Sequence, residues 1–153
     1  MSKIINVKDK TIFYSIEDIC RDYFDEGIKE FWVDGCAIRS KKYFDNLEIK
    51  YNREDKKLRH ALWFPIASLK SWTNLLTHKG QIFIEKDAKG ETKPKDERYN
   101  EYRITFLKKY HGNIQTYKFI GVFKCFAEYV GADNLRTRVF ERVDDKIEIT
   151  RKR

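Results

Sequence analysis

Residues 135–143 read Leu-Arg-Thr-Arg-Val-Phe-Glu-Arg-Val. Side chains alternate along a strand, so Arg136, Arg138, Phe140 and Arg142 share one face. Leu135, Thr137, Val139, Glu141 and Val143 take the other. Three guanidinium groups with one aromatic ring suit a surface that follows phosphates and stacks on a base. Lys118 and Lys124, on the strand before it, extend the patch. The alternative is a strand face whose arginines pair with nearby acids, a common arrangement with no ligand attached to it. Lys108, Lys109 and the terminal Arg151-Lys152-Arg153 add positive charge but say little about location.

Two further constellations involve Asp34. Trp32 falls on the same strand face as Asp34. A ring for stacking beside a carboxylate for hydrogen bonding suits a pocket that holds a flipped base. The competing reading is an indole that covers the edge of the core. Asp34 is also followed by Glu48-Ile49-Lys50, which looks like the D…ExK arrangement of PD-(D/E)xK nucleases. There two carboxylates hold a magnesium ion and the lysine orients or activates the attacking water. A chain this rich in Asp, Glu and Lys also produces such a pattern by chance, as an exposed Glu-x-Lys pair. The three histidines, His60, His78 and His111, have no metal-ligand spacing, and no nucleophile-elbow, Walker or Rossmann motif occurs. Cys20, Cys36 and Cys125 are far apart, odd in number and free of any C-x-x-C pattern. They read as small core residues of a protein in a reducing cytosol.

These side chains need elements to position them. Thr11–Tyr14 reads as a short strand. Ser15 then caps a helix carrying Ile16, Ile19, Cys20, Tyr23 and Phe24 at helical spacing, closed by Gly27. Lys29–Ser40, Leu47–Tyr51 and Arg59–Ile66 read as strands. Ser68 caps a second helix through Leu69, Trp72, Leu75 and Leu76 to Gly80, and a strand follows over Gln81–Glu85. Residues 87–97 hold no apolar side chain beyond Ala88 and read as an exposed, flexible loop. Beyond it the period is two. Tyr102, Ile104 and Phe106 alternate, and Tyr117, Phe119, Gly121, Phe123 and Cys125 share one face. Arg136–Val143 turns at Asp144-Asp145 into a last strand with Ile147 and Ile149. The expected fold is α+β, a curved and mostly antiparallel sheet or barrel with two packed helices, in one domain spanning residues 1–153.

The chain has 153 residues, of which 41% are hydrophobic and 15% aromatic, enough for a core. Its 32 basic and 24 acidic residues leave a net charge of +8, the sign that meets nucleic acid. The apolar runs are too short for a membrane span, and the first residues lack the apolar stretch of a signal peptide.

The segment Tyr117-Lys118-Phe119-Ile120-Gly121-Val122-Phe123, followed by Arg138-Val139-Phe140-Glu141-Arg142-Val143, resembles the closing hairpin of PUA-like domains. That superfamily includes the SRA and EVE domains of prokaryotic modification-dependent restriction systems. The resemblance implies a curved β-barrel that binds nucleic acid and often reads a modified base. Together these features point to a cytoplasmic, prokaryotic or phage nucleic-acid-binding module that reads modified bases, with DNA favoured over RNA and no metal or cofactor. One alternative is a magnesium-dependent nuclease using Asp34, Glu48 and Lys50. The other is a protein-interaction or inhibitor module. The net charge of +8 counts against an inhibitor that mimics DNA.

Overall fold

The computed structural model describes residues 2–24, 37–39, 41–67, 72–87 and 100–152. Ten strands and two helical turns are laid out along them. Strands β1 (Ser2–Asn6), β10 (Lys146–Arg151) and β3 (Leu47–Lys50) form a small antiparallel sheet in the order β1-β10-β3. The others are β2 (Ala37–Ile38), β4 (His60–Trp63), β5 (Trp72–Thr77), β6 (Ile82–Asp87), β7 (Tyr102–His111), β8 (Ile114–Val130) and β9 (Arg136–Asp144). They form a seven-stranded sheet in the order β2-β4-β7-β8-β9-β6-β5. All its pairs are antiparallel except β4 with β7.

The large sheet is strongly curved. Strands β4 and β6 are four steps apart in it, so a flat sheet would separate them by about 19 Å. Yet the rings of Trp63 on β4 and Phe83 on β6 approach to 5.0 Å. Among the described residues β5 does not pair with β2, so the sheet curls without closing into the expected barrel.

Two apolar clusters occupy the two faces of this sheet. The larger joins Ile38, Leu62, Ile104, Phe106, Phe119 and Val122 to Ile5, Ile49, Ile147 and Ile149 of the small sheet. Helix α1 (Ile16–Ile19) runs into a π-helical turn (Cys20–Phe24) and packs there too. Ser15 caps α1 as its sequence implies, its Oγ accepting from the Asp18 N–H at 3.0 Å. Ile19, Cys20 and Phe24 are buried at the expected spacing. The second cluster lines the concave face: Ala37, Trp63, Phe83, Leu107, Ile120, Phe123, Cys125 and Phe140.

Several expectations are corrected. The helix expected between Ser68 and Gly80 is strand β5 over Trp72–Thr77, paired antiparallel with β6. Its helical spacing of Leu and Trp is outweighed by the ladder with Ile82–Asp87, since a short apolar run does not choose its own period. The second short helix, α2, lies instead at Lys41–Phe44. Phe13 makes an isolated bridge to Tyr117, and the first strand is β1, nearer the N-terminus. The uniform face expected from Tyr117 to Cys125 is broken. Tyr117 and Phe119 join the larger cluster, whereas Phe123 and Cys125 join the concave one. A register shift between Thr105 and Phe106 skips Ile120 in the β7–β8 ladder, and one extra residue exchanges the faces. Asp144-Asp145 does not close a hairpin: β9 belongs to the large sheet and β10 to the small one. The Asp144 carboxylate holds this corner, accepting from the N–H groups of Asn52 at 2.8 Å and Lys146 at 3.2 Å. The loop expected at 87–97 lies outside the described residues, apart from Asp87 at the end of β6. No helix among the described residues is long and apolar enough to cross a membrane.

Candidate functional site

The concave face carries charge as well as rings. Glu101, fully buried at the start of β7, stands among three arginines. Arg39 Nε donates to both of its oxygens at 3.0 and 3.2 Å. Arg103 Nε donates to Oε1 at 3.2 Å, and Arg59 Nε lies 3.4 Å from Oε2. Strand alternation puts Glu101 and Arg103 on the same face. The Arg103 guanidinium carbon then sits 4.5 Å from the ring centroid of Trp63 and 4.7 Å from that of Phe140. Those two ring centroids are themselves 5.2 Å apart, so the guanidinium rests against the pair from one side and is held by cation–π attraction to both, which desolvation strengthens. The aromatic floor continues through Trp63–Phe140 at 5.2 Å and Phe83–Phe123 at 6.1 Å.

A second charged group flanks the rings. Arg138 stands opposite Glu85 of β6 on one side and Glu128 of β8 on the other. Its Nη1 lies 3.4 Å from Glu85 and its Nε 3.8 Å from Glu128. Arg136 Nη1 donates to Glu128 at 2.7 Å. The face read from sequence as Arg136, Arg138, Phe140 and Arg142 is therefore the inner one. Phe140 has no exposed surface and Arg138 only 4%. This corrects its expected place on the surface. The alternation was right, but curvature turned that side inward and two acids on neighbouring strands met its arginines. Arg142 departs from the other two. Its stem crosses Gly121, and its Nη1 donates to the Ile120 carbonyl at 3.4 Å.

Lys118 is exposed on β8. Lys124 is half-buried opposite Glu141 and lines a cleft of about 460 Å³ with Asn52, Glu54, Phe126 and Arg142. The extra residue at Ile120 places these two lysines on opposite faces, so they do not form one patch with the arginines. Trp32, Asp34 and Cys36 lie outside the described residues. Glu48 and Lys50 are exposed on β3 in the small sheet, 3.8 Å apart. Among the described residues no group of three His, Cys, Asp or Glu side chains could hold a metal ion. Cys20 and Cys125 are buried free thiols, and burial pushes Cys20 up to about 11, as suits core residues.

The residues that the sequence reading missed are Glu101, Arg39, Arg59 and Arg103. Arg103 was legible as a charge inside the Tyr102–Phe106 alternation, a position where an unpaired cation is costly. Its carboxylate partner two residues earlier shares its face. Arg39 and Arg59 needed the fold.

The family model of SRA, the SET and RING associated domain, matches residues 1–149, and the chain belongs to that family. The resemblance first visible in the C-terminal third thus extends over nearly the whole chain. Among solved structures the chain is similar to the 5-hydroxymethylcytosine-specific restriction enzyme AbaSI, with a TM-score of 0.62 and 16% identity. That similarity covers 98% of this chain and 44% of the other, so the chain spans less than half of AbaSI. No curated protein matches it in sequence.

Proposed function

We propose that this chain is a DNA-binding module that recognises a modified base, in a prokaryotic or phage defence setting. Membership of the SRA family over residues 1–149 carries this reading. The AbaSI name supplies the first base to try, 5-hydroxymethylcytosine. Trp63, Phe83 and Phe140 are at most 3% exposed and pack against one another, with Arg103 against them, so they support the concave side of the sheet from within and do not themselves touch a base. Bases extruded from a duplex are held by stacking and by hydrogen bonds to their edge. In this reading Trp32 stacks on the base, and the Asp34 carboxylate accepts from its exocyclic amine. Binding, not bond cleavage, is the activity. For the nuclease alternative, Glu48 and Lys50 form only an exposed pair with each other.

The test is a binding panel of otherwise identical duplexes carrying cytosine, 5-methylcytosine or 5-hydroxymethylcytosine, each at two salt concentrations. One modified duplex should bind at least about tenfold tighter than the unmodified one, the worth of one added hydrogen bond. Trp32→Ala should reduce that preference more than it reduces the salt dependence. Equal affinity for all three duplexes would overturn base recognition, and absence of duplex binding would overturn the whole reading.

A further inference from the structure

The loop joining β3 to β4 carries exposed cationic side chains that the packing of the core does not use. We propose that this loop is a phosphate-gripping edge of the DNA site, with Arg59, Lys56 and Lys57 as its contacts. The inference rests on the DNA-binding reading above and names the surface that would bear the backbone.

Three observations support it. The first is exposure. Of the three arginines around Glu101, the side chains of Arg39 and Arg103 are 10% and 6% exposed, but that of Arg59 is 53% exposed. Its Nε lies 3.4 Å from Glu101 Oε2. With more than half of its side chain in solvent, the guanidinium remains accessible to a phosphate. Lys56 and Lys57 are also exposed.

The second is charge. Residues 53–59 hold Arg53, Lys56, Lys57 and Arg59 against Glu54 and Asp55. Asp55 is committed within the loop, where its carboxylate accepts from the Lys57 N–H at 3.0 Å.

The third is rigidity. Arg53 Nη2 donates to the carbonyls of Leu58 at 2.6 Å and Lys56 at 3.3 Å. Its guanidinium lies 5.7 Å from the Tyr51 ring and 5.9 Å from the Tyr102 ring. The Asp55 N–H donates to the Tyr102 hydroxyl at 3.0 Å. A loop already held in shape loses little entropy when it binds. Its place also fits. Glu101 ties the exposed Arg59 to the buried Arg103 of the concave face, so Arg59 stands at the rim of that face.

The experiment uses the full chain and the duplex panel, over a salt series. The variants are Lys56→Ala with Lys57→Ala, Arg59→Ala, Arg59→Lys and the triple alanine. Each lost contact should lower the slope of log affinity against log salt by about 0.9. Modified and unmodified duplexes should weaken alike, so the preference ratio should hold. Arg59→Lys should recover most of the slope lost in Arg59→Ala. A triple variant with the wild-type slope overturns the proposal, including the case where only its melting temperature falls, because Arg59 is then structural. If the wild type prefers a modified duplex and the triple variant keeps its slope, this inference fails alone. If the wild type binds no duplex, both fail.

Discussion

Gly121 shows how one residue can hold a strand crossing in place. Its φ is +120°, a region that side chains rarely adopt, and an added Cβ would lie 2.3 Å from Arg142 Cδ and 3.0 Å from the Asp144 carbonyl. Gly121→Ala must therefore strain the backbone and displace the stem of Arg142. We expect a loss of about 2–3 kcal/mol, read by urea denaturation. His60 is set differently. Its ring packs edge-on against Phe44 at 4.7 Å, and its Nδ1 lies 3.2 Å from the Tyr51 hydroxyl. Burial, with Arg53 nearby, lowers it from 6.5 to about 4. The folded state therefore holds His60 neutral while the unfolded chain takes up a proton below pH 6.5. Its contribution to stability is intact above pH 6.5 and is lost as pH falls toward 4, amounting to about 3 kcal/mol. Urea unfolding of wild type and His60→Gln between pH 8 and 4 measures this. The stability of wild type relative to the variant should fall by about 3 kcal/mol across that window, and a constant difference would contradict it.

At the scale of elements, the β5–β6 hairpin is held by its ladder in spite of its turn. His78 and Lys79 both have φ of 55°, and Gly80 has 87°. Left-handed backbone costs an ordinary residue roughly 1 kcal/mol, and Asn and Gly carry less of that cost. Both side chains are exposed, so His78→Asn with Lys79→Gly removes strain without touching the core. The double variant should gain about 1 kcal/mol in thermal or urea unfolding. A loss would mean that His78 or Lys79 makes a contact worth more than the strain.

Across the whole molecule the net charge of +8 is unevenly used. Arg136 and Arg138 are committed to Glu85 and Glu128 beside the aromatic floor, whereas Arg59, Lys56 and Lys57 face solvent. The two groups should answer to different measurements. Arg138→Ala leaves Glu85 without its cation in a half-buried place and should cost about 3 kcal/mol of stability. It should leave the salt slope of DNA binding unchanged. Paired denaturation and salt-titration experiments test this, and a lower slope with full stability would return Arg138 to the DNA surface.

Local pattern sufficed wherever chemistry and geometry are set by near neighbours. The Ser15 cap, the buried spacing of Ile19, Cys20 and Phe24, and the alternation of Leu47–Lys50 and Tyr102–Phe106 follow from periods of 3.6 and 2. The closing motif around Gly121 and Arg142 was enough to suggest the family. What the sequence left open depends on partners distant in the chain. Trp72–Thr77 is a strand because β6 lies beside it, and one extra residue at Ile120 moves Phe123 and Cys125 to the other face. Arg136, Arg138 and Arg142 alternate as their sequence requires, but alternation names a side without saying whether it is inner or outer. The curl of the sheet, which brings Trp63 against Phe83, decided that question, and the register of β9 with β6 and β8 placed Glu85 and Glu128 against the arginines. Strand order likewise set Arg103 against the rings of Trp63 and Phe140 and left Arg59 at the rim, because guanidiniums meet a shared carboxylate only once strands remote in sequence are side by side.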